Sequence, residues 1–258
     1  MNNMLAVIER DLQNFLKYKY WIGVLLLTNI ADLLIMAANF SNLVTFGAGT
    51  FNYLLFFAPG LAVLSLFGAT FIMGIEVSGE RQSQQIYYLL SLPIDRFQFT
   101  VARAFAGAIR SMVFCIPLLI IAFVMLGVPS FLTVLLIIFC LFTLAIGLTS
   151  LSIALATAIM STRRYQLARG IVSMYLMFAS TVFYPYQAGG VPILAQIPIL
   201  NVVAELNPLS YGANLLRSLL DPVQYGEVQL LDVLGLIGFT IIMVYLGLFF
   251  YNRFTRIA

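Results

Sequence analysis

The chain has 258 residues, of which 62% are apolar and only 9% are charged. A typical soluble domain is ~45–50% apolar and ~25% charged, so this composition excludes a soluble enzyme, a nucleic-acid-binding protein and a disordered tail. The sequence contains no histidine, which excludes histidine-based catalytic triads and histidine-ligated metals. We therefore expect an all-α polytopic membrane protein, one transmembrane domain over residues 1–258, without a metal site of its own.

The first predicted element is an amphipathic helix over residues 4–20. Its apolar positions recur at helical spacing: Leu5, Ile8, Leu12 and Phe15. Polar side chains occupy most positions between them, and the stretch is too polar to span a bilayer. We expect this helix to lie in the membrane interface.

Six long apolar segments follow, and each is predicted to be a transmembrane helix. A helix needs ~20 residues to cross the hydrocarbon layer. The helices of the first, third and fifth segments must therefore include some flanking residues. The six predicted spans cover residues 21–38, 53–75, 111–126, 131–160, 170–184 and 233–251.

The basic residues alternate with these spans. Twelve of the thirteen fall in four regions that lie on one side of a six-span arrangement, and only Arg217 falls on the other side. The positive-inside rule then places both termini in the cytoplasm and the chain in the plasma membrane. The four regions are the N-terminal tail, residues 76–110, residues 161–169 and the C-terminal tail.

Two long stretches lie outside the predicted spans. Residues 76–110 are expected to be cytoplasmic, with an apolar patch that ends at Pro93. Residues 185–232 are expected on the outer side as a re-entrant hairpin, because proline and glycine interrupt their apolar sequence.

Three arginines in the first stretch form a predicted basic stripe. Arg96, Arg103 and Arg110 are spaced seven residues apart, which keeps them on roughly one helix face. The stripe could bind acidic residues of a partner or anionic head groups, or it could only set the membrane topology.

Asp32 is the one acidic residue within a predicted span. It shares a polar helix face with Asn29, so the two residues are candidates for lining a translocation pathway. Asp32 could also bind a proton or make a hydrogen bond between helices. A gradient-driven carrier or channel that uses Asp32 is therefore one functional hypothesis.

No phosphate-binding glycine-rich loop or nucleophile elbow occurs in the sequence. If the protein moves a substrate, the energy must come from a gradient or from another protein. A membrane anchor without a transport cycle is a further alternative, and an intramembrane enzyme is disfavoured because no paired acids occupy the spans.

Two motifs and their context resemble the permease subunits of type-2 ABC exporters. The first motif runs from Glu76 through Gly79-Glu80-Arg81 to Leu89-Leu90-Ser91-Leu92-Pro93-Ile94. The second is Asn207-Pro208-Leu209-Ser210-Tyr211, which follows the broken outer hairpin and precedes the last span. The resemblance covers nearly the whole chain, including the amphipathic helix and the six spans.

This resemblance implies that a separate partner protein hydrolyses ATP while this chain forms the membrane part of the complex. A separate ABC ATPase would bind ATP and Mg²⁺, two copies per complex, and this chain would need no cofactor and catalyse no reaction. A second permease copy, forming a homodimer, would complete the membrane channel, and the exported substrate would be an amphiphile such as a lipid-linked glycan, a lipid or a drug. The residues implied to dock the ATPase form a coupling helix: Ile86, Tyr87, Leu89, Leu90, Ser91, Leu92 and Pro93.

Overall fold

A computed structural model describes residues 2–17, 53–85, 95–159, 161–183 and 198–255, together with helical positions 19–20, 22–24, 26–28, 30–31 and 34–35. Over these residues the predicted all-α fold is confirmed, because they form helices joined by short connections and no strands. The helices are α1 (Asn2–Lys17), α2 (Tyr53–Gln82), α3 (Arg96–Leu126), α4 (Phe131–Ala158), α5 (Thr162–Phe178), α6 (Pro198–Glu205), α7 (Pro208–Leu220), α8 (Pro222–Tyr225) and α9 (Leu230–Thr255).

Four of the described helices are long and apolar enough to cross a membrane. They contain the segments Leu55–Gln82, Arg96–Leu126, Phe131–Ala158 and Leu230–Arg253, with mean hydropathies between 2.0 and 2.9. These four correspond to the second, third, fourth and sixth predicted spans. Most of the first predicted span lies outside the described residues, and the fifth corresponds to the 17-residue helix α5.

The helices extend beyond the predicted span boundaries at three points. The charged residues of 76–110 belong largely to continuous helices, since α2 extends to Gln82 and α3 begins at Arg96. The predicted loop 161–169 is likewise helical from Thr162 onward. A charged side chain marks the end of a span only when it reaches water. Several charged residues of 76–110 are instead paired with charged residues of neighbouring helices, as described below.

The long helices alternate in direction. α2 runs from Phe56, near Arg217, to Glu80, near Arg103, and we name the two ends of the bundle after these arginines. The start of α5 lies at the Arg103 end, because Ser78 donates to the Thr162 hydroxyl at 3.0 Å. The end of α9 lies there too, since Tyr251 contacts the Phe99 ring at 5.8 Å between centroids.

α2 is the central helix of the bundle. In the most apolar stretch of α2, 72% of the residues are buried inside the protein. In the most apolar stretch of α9 the buried share is 11%, so most of that surface is available to contact lipid. α4 and α9 pack closely through small residues, because a Cβ at Gly147 would lie 2.9 Å from the Phe239 ring and one at Gly247 would lie 3.2 Å from the Ser150 carbonyl.

A polar contact joins α2, α4 and α5 in the middle of the bundle. The Ser152 hydroxyl accepts from the Gly74 amide at 3.0 Å and lies 3.0 Å from the Tyr165 hydroxyl. The Tyr165 hydroxyl also donates to the Phe71 carbonyl of α2 at 3.3 Å. Only glycine fits at position 74, because a Cβ there would overlap both hydroxyl oxygens.

Gly74→Ala is therefore expected to lower the stability of the bundle by about 1–3 kcal/mol, the usual cost of overpacking a core. Gly68→Ala on the same helix is the matched control, since a Cβ there meets nothing within 4 Å. Thermal unfolding in detergent, followed by circular dichroism, measures the difference. Equal unfolding midpoint temperatures for the two variants would contradict the close packing of Gly74 against Ser152 and Tyr165.

Candidate functional site

The sequence-predicted coupling helix, Ile86–Pro93, lies outside the described residues, and so do Asn29 and Asp32. Their predicted roles therefore stay predictions. What the structure describes is the frame on either side of the coupling segment, namely the end of α2 and the start of α3.

The predicted basic stripe leads into a buried group of charges. Arg103 is 2% exposed and binds Glu80 with both terminal nitrogens, one of them at 2.8 Å. Its Nε lies 3.4 Å from the carboxylate of Asp11, which is 3% exposed and belongs to α1. The side chain of Arg103 thus links the first three helices at one point.

A second pair repeats this geometry farther along the same helices. Arg110 donates to both carboxylate oxygens of Glu76, at 2.7 and 2.6 Å. Its guanidinium lies 4.9 Å from the centre of the Phe15 ring of α1, close enough for a cation–π contact. Bidentate pairing of this kind is the strongest geometry available to an arginine and a carboxylate.

The sixth member of the group is Arg10 of α1. It donates to Asp11 at 2.7 Å and lies 3.6 Å from Glu80. We call the set the Arg103 cluster; it contains three cations and three anions, so its formal charge is zero. Its members are Arg10, Asp11, Glu76, Glu80, Arg103 and Arg110.

Helix α1 packs against α3 both through this cluster and through apolar side chains, among them Phe15 of the predicted apolar face. Val7, Asp11 and Phe15 are buried, whereas Leu5 is 59% exposed. The Phe15 ring meets Phe114 edge-on with 5.7 Å between centroids. No pattern within α1 indicates the partner of Asp11, because Arg103 lies 92 residues further along the chain.

Arg96 begins α3 and is half-buried. It has a partner of its own, so it is not a free cation held ready for another protein. A role of Arg96, Arg103 and Arg110 in contacting an ATPase or a lipid head group stays a prediction.

The other end of the bundle contains a buried arginine of a different kind. Arg217 is 3% exposed, and its three nitrogens donate to the main-chain carbonyls of Phe56, Thr181 and Val182 at 3.0–3.1 Å. Its guanidinium lies 3.7 Å from the centre of the Phe56 ring. Arg217 thereby ties α7 to the start of α2 and to the turn that follows α5.

The motif Asn207-Pro208-Leu209-Ser210-Tyr211 has a structural explanation. The Asn207 side chain caps α7 by accepting from the Leu209 amide at 3.0 Å, and it donates to the Leu176 carbonyl at 2.8 Å. The Ser210 hydroxyl accepts from the Thr181 amide at 3.0 Å. Tyr211 packs against α9 where Gly235 leaves room, since a Cβ there would lie 2.6 Å from the ring.

A cavity of about 400 Å³ opens beside Arg217. We call it the Arg217 cavity. Its floor is buried and its mouth is formed by exposed residues of the α8–α9 connection. Burial raises the pKa of Tyr225 in its wall to about 12, so that hydroxyl stays protonated at neutral pH. Its polar lining residues are Thr181, Glu205, Ser210, Asn214, Arg217, Ser218, Gln224, Tyr225, Gln229 and Asp232.

The predicted outer stretch 185–232 is described from Pro198 onward. It contains three helices of 8, 13 and 4 residues, each shorter than the ~20 residues that a crossing requires. The cavity that these helices enclose was not predicted from sequence, because its lining residues come from five separate segments of the chain.

A model of the ABC-2 type transporter family matches residues 2–220. The chain belongs to this family. A relative from Cyanophora paradoxa, named "Putative transport permease ycf38", is 28% identical over 172 residues, which is 65% of this chain and 56% of that protein. The match thus spans little more than half of the relative's length. The sequence-based resemblance is confirmed by the family match.

Arg103→Gln is expected to destabilise this ABC-2 family protein by about 3–5 kcal/mol, because it leaves the buried carboxylate of Asp11 and the partly buried carboxylate of Glu80 without their cation. The double variant Arg103→Gln/Glu80→Gln should recover a large part of that loss, and Arg164→Gln, at an exposed position, should change nothing. Unfolding of the detergent-solubilised protein measures all three. An Arg103→Gln variant as stable as Arg164→Gln would show that the ion pair does not form.

Arg217→Lys is expected to weaken the attachment of α7 to α2 and to the turn after α5, although both side chains are cationic. One ammonium group cannot donate in the fixed planar geometry that reaches three separate carbonyls, so two of them would lose a charge-assisted hydrogen bond, each worth ~1.5–3 kcal/mol. Limited proteolysis should cut the turn after α5 faster in this variant than in the wild type. Identical cleavage rates would count against the bracing role.

Proposed function

We propose that this chain is the transmembrane subunit of an ATP-driven exporter that moves an amphiphilic substrate out of the cytoplasm. The family match over residues 2–220 is the observation that carries the proposal. Permeases of this family normally work with a separate ABC ATPase, and ATP and Mg²⁺ would be bound there rather than on this chain.

The ATPase would dock on the segment between α2 and α3, which includes the coupling residues Ile86–Pro93. That segment leaves α2 two turns beyond Glu76 and enters α3 two turns before Arg103. Because the Arg103 cluster joins both helices and α1, a displacement of the segment would be passed to three helices at once. Rigid transmission of this kind needs contacts that resist separation, and the two bidentate pairs, in which the arginines are buried, provide them.

The orientation follows from charge. The basic residues of α1, of the α2–α3 region, of the start of α5 and of the end of α9 all belong to the Arg103 end, and Arg217 belongs to the opposite end. By the positive-inside rule the Arg103 end faces the cytoplasm, with both termini, in the plasma membrane. The ATPase docking segment is then on the side where ATP is available.

An apolar surface with few ions suits an amphiphile better than a hydrophilic solute. The described helices leave broad apolar faces exposed, including Phe131 and Phe139 on α4 and Ile241 on α9. Lipid covers part of this surface, and a second copy of the chain would cover another part to form a homodimeric channel with two ATPase subunits.

Purification of the tagged permease from native membranes tests the partnership. We expect an ABC ATPase to co-purify in equal amount and the reconstituted complex to hydrolyse ATP faster than the ATPase alone. Recovery of the permease without any nucleotide-binding subunit, under conditions that preserve other membrane complexes, would contradict the proposal.

A pair of leucine variants tests the docking segment. Leu89→Arg places a charge in the proposed contact and should reduce ATPase recovery by at least tenfold, since an unpaired buried charge is costly. Leu206→Arg is the matched control, because Leu206 is 70% exposed at the Arg217 end. Equal ATPase recovery with both variants would place the docking surface elsewhere.

A further inference from the structure

Asp232 is a buried carboxylate at the start of an apolar helix. It is 7% exposed, it lines the Arg217 cavity, and it makes no ion pair with any cation in the described part of the chain. Its place in the first turn of α9 lets the helix dipole offset part of the cost of its charge. An acidic side chain buried in a membrane protein without a counter-ion is otherwise a strong candidate for binding a cation.

The cavity around Asp232 offers further polar groups. Ser218 lines the cavity with 8% of the residue exposed, and its hydroxyl makes no hydrogen bond to another described residue. The side-chain amides of Gln224 and Gln229 at the mouth are likewise unengaged within that part of the chain. All three groups carry oxygen atoms that can accept hydrogen bonds from an N–H donor.

The charges of the cavity disfavour an anion and a purely apolar occupant. Glu205 lines the cavity together with Asp232, so an anionic group would meet two carboxylates. Arg217 is the one cationic side chain among the described lining residues, and its nitrogens are directed to three main-chain carbonyls. An apolar occupant would leave the Asp232 carboxylate without a counter-ion.

We propose that the Arg217 cavity binds the protonated amine of a cationic amphiphile, with Asp232 as its counter-ion. Ser218 and the amide oxygens of Gln224 and Gln229 accept hydrogen bonds from the ammonium group. The apolar body of the ligand lies against Ala204 and Leu231, which complete the wall. A volume of about 400 Å³ lies within the ~300–1,000 Å³ typical of small-molecule sites.

This inference rests on the proposed function in one respect, since it names the substrate class of the exporter. The two are nevertheless separable. Ligand binding is measured on the permease without an ATPase, so failure of the ATPase experiment leaves the binding result intact, and the reverse holds as well.

The test uses the full chain in lipid nanodiscs and three photoreactive probes with the same alkyl chain. One probe ends in a primary amine, one in an alcohol and one in a sulfate. We expect the amine to label peptides from α7 and α9 at least tenfold more strongly than the other two. Asp232→Asn should remove that preference, whereas Glu227→Gln, at an exposed position outside the cavity, should preserve it.

A second variant keeps the test decisive if Asp232→Asn does not fold. Gln229→Arg places a fixed cation at the exposed mouth, so it should exclude the amine without disturbing the buried floor. The proposal is overturned if the alcohol or the sulfate labels the cavity as strongly as the amine. It is also overturned if a folded Asp232→Asn or Gln229→Arg variant binds the amine with unchanged affinity.

Discussion

The arrangement of this permease depends on the cost of an unpaired charge in an apolar interior. Arg103 and Asp11 are almost completely buried, and neither is tolerable there without the opposite charge close by. Each of the two bidentate pairs fixes α2 against α3, and Asp11 adds α1 to the same group. The position of α1, the continuity of α2 and α3 past their charged residues, and the contact between α2 and α3 all follow from this one requirement.

The buried arginines at the two ends of the bundle have different kinds of partner. At the Arg103 end the partners are carboxylates, which hold helices together strongly and cancel the net charge. At the Arg217 end the partners are main-chain carbonyls, which leave the carboxylate of Asp232 without an ion pair among the described residues and facing a cavity. Gly60 makes the second arrangement possible, because a Cβ there would lie 2.9 Å from the Arg217 guanidinium.

Sequence reasoning predicted the helical class, the apolar segments and the family, because hydropathy and short motifs are local signals. It placed span boundaries at charges, as at Glu76 and Arg110, whereas the helices continue through these two residues, which pair with each other. The partners of Asp11 and the lining of the Arg217 cavity could not be predicted, because they join residues far apart in the chain. The burial of Asp232 appears only in three dimensions.

The central claim is that the Arg103 cluster binds α1 to α2 and α3. Hydrogen–deuterium exchange of the membrane-embedded chain tests it most directly, with α1 compared between the wild type and Arg103→Gln and with α4 as an internal reference. The account predicts that α1 amides are protected in the wild type and exchange much faster in the variant, while α4 amides do not change. Equal exchange of α1 in both proteins would contradict it.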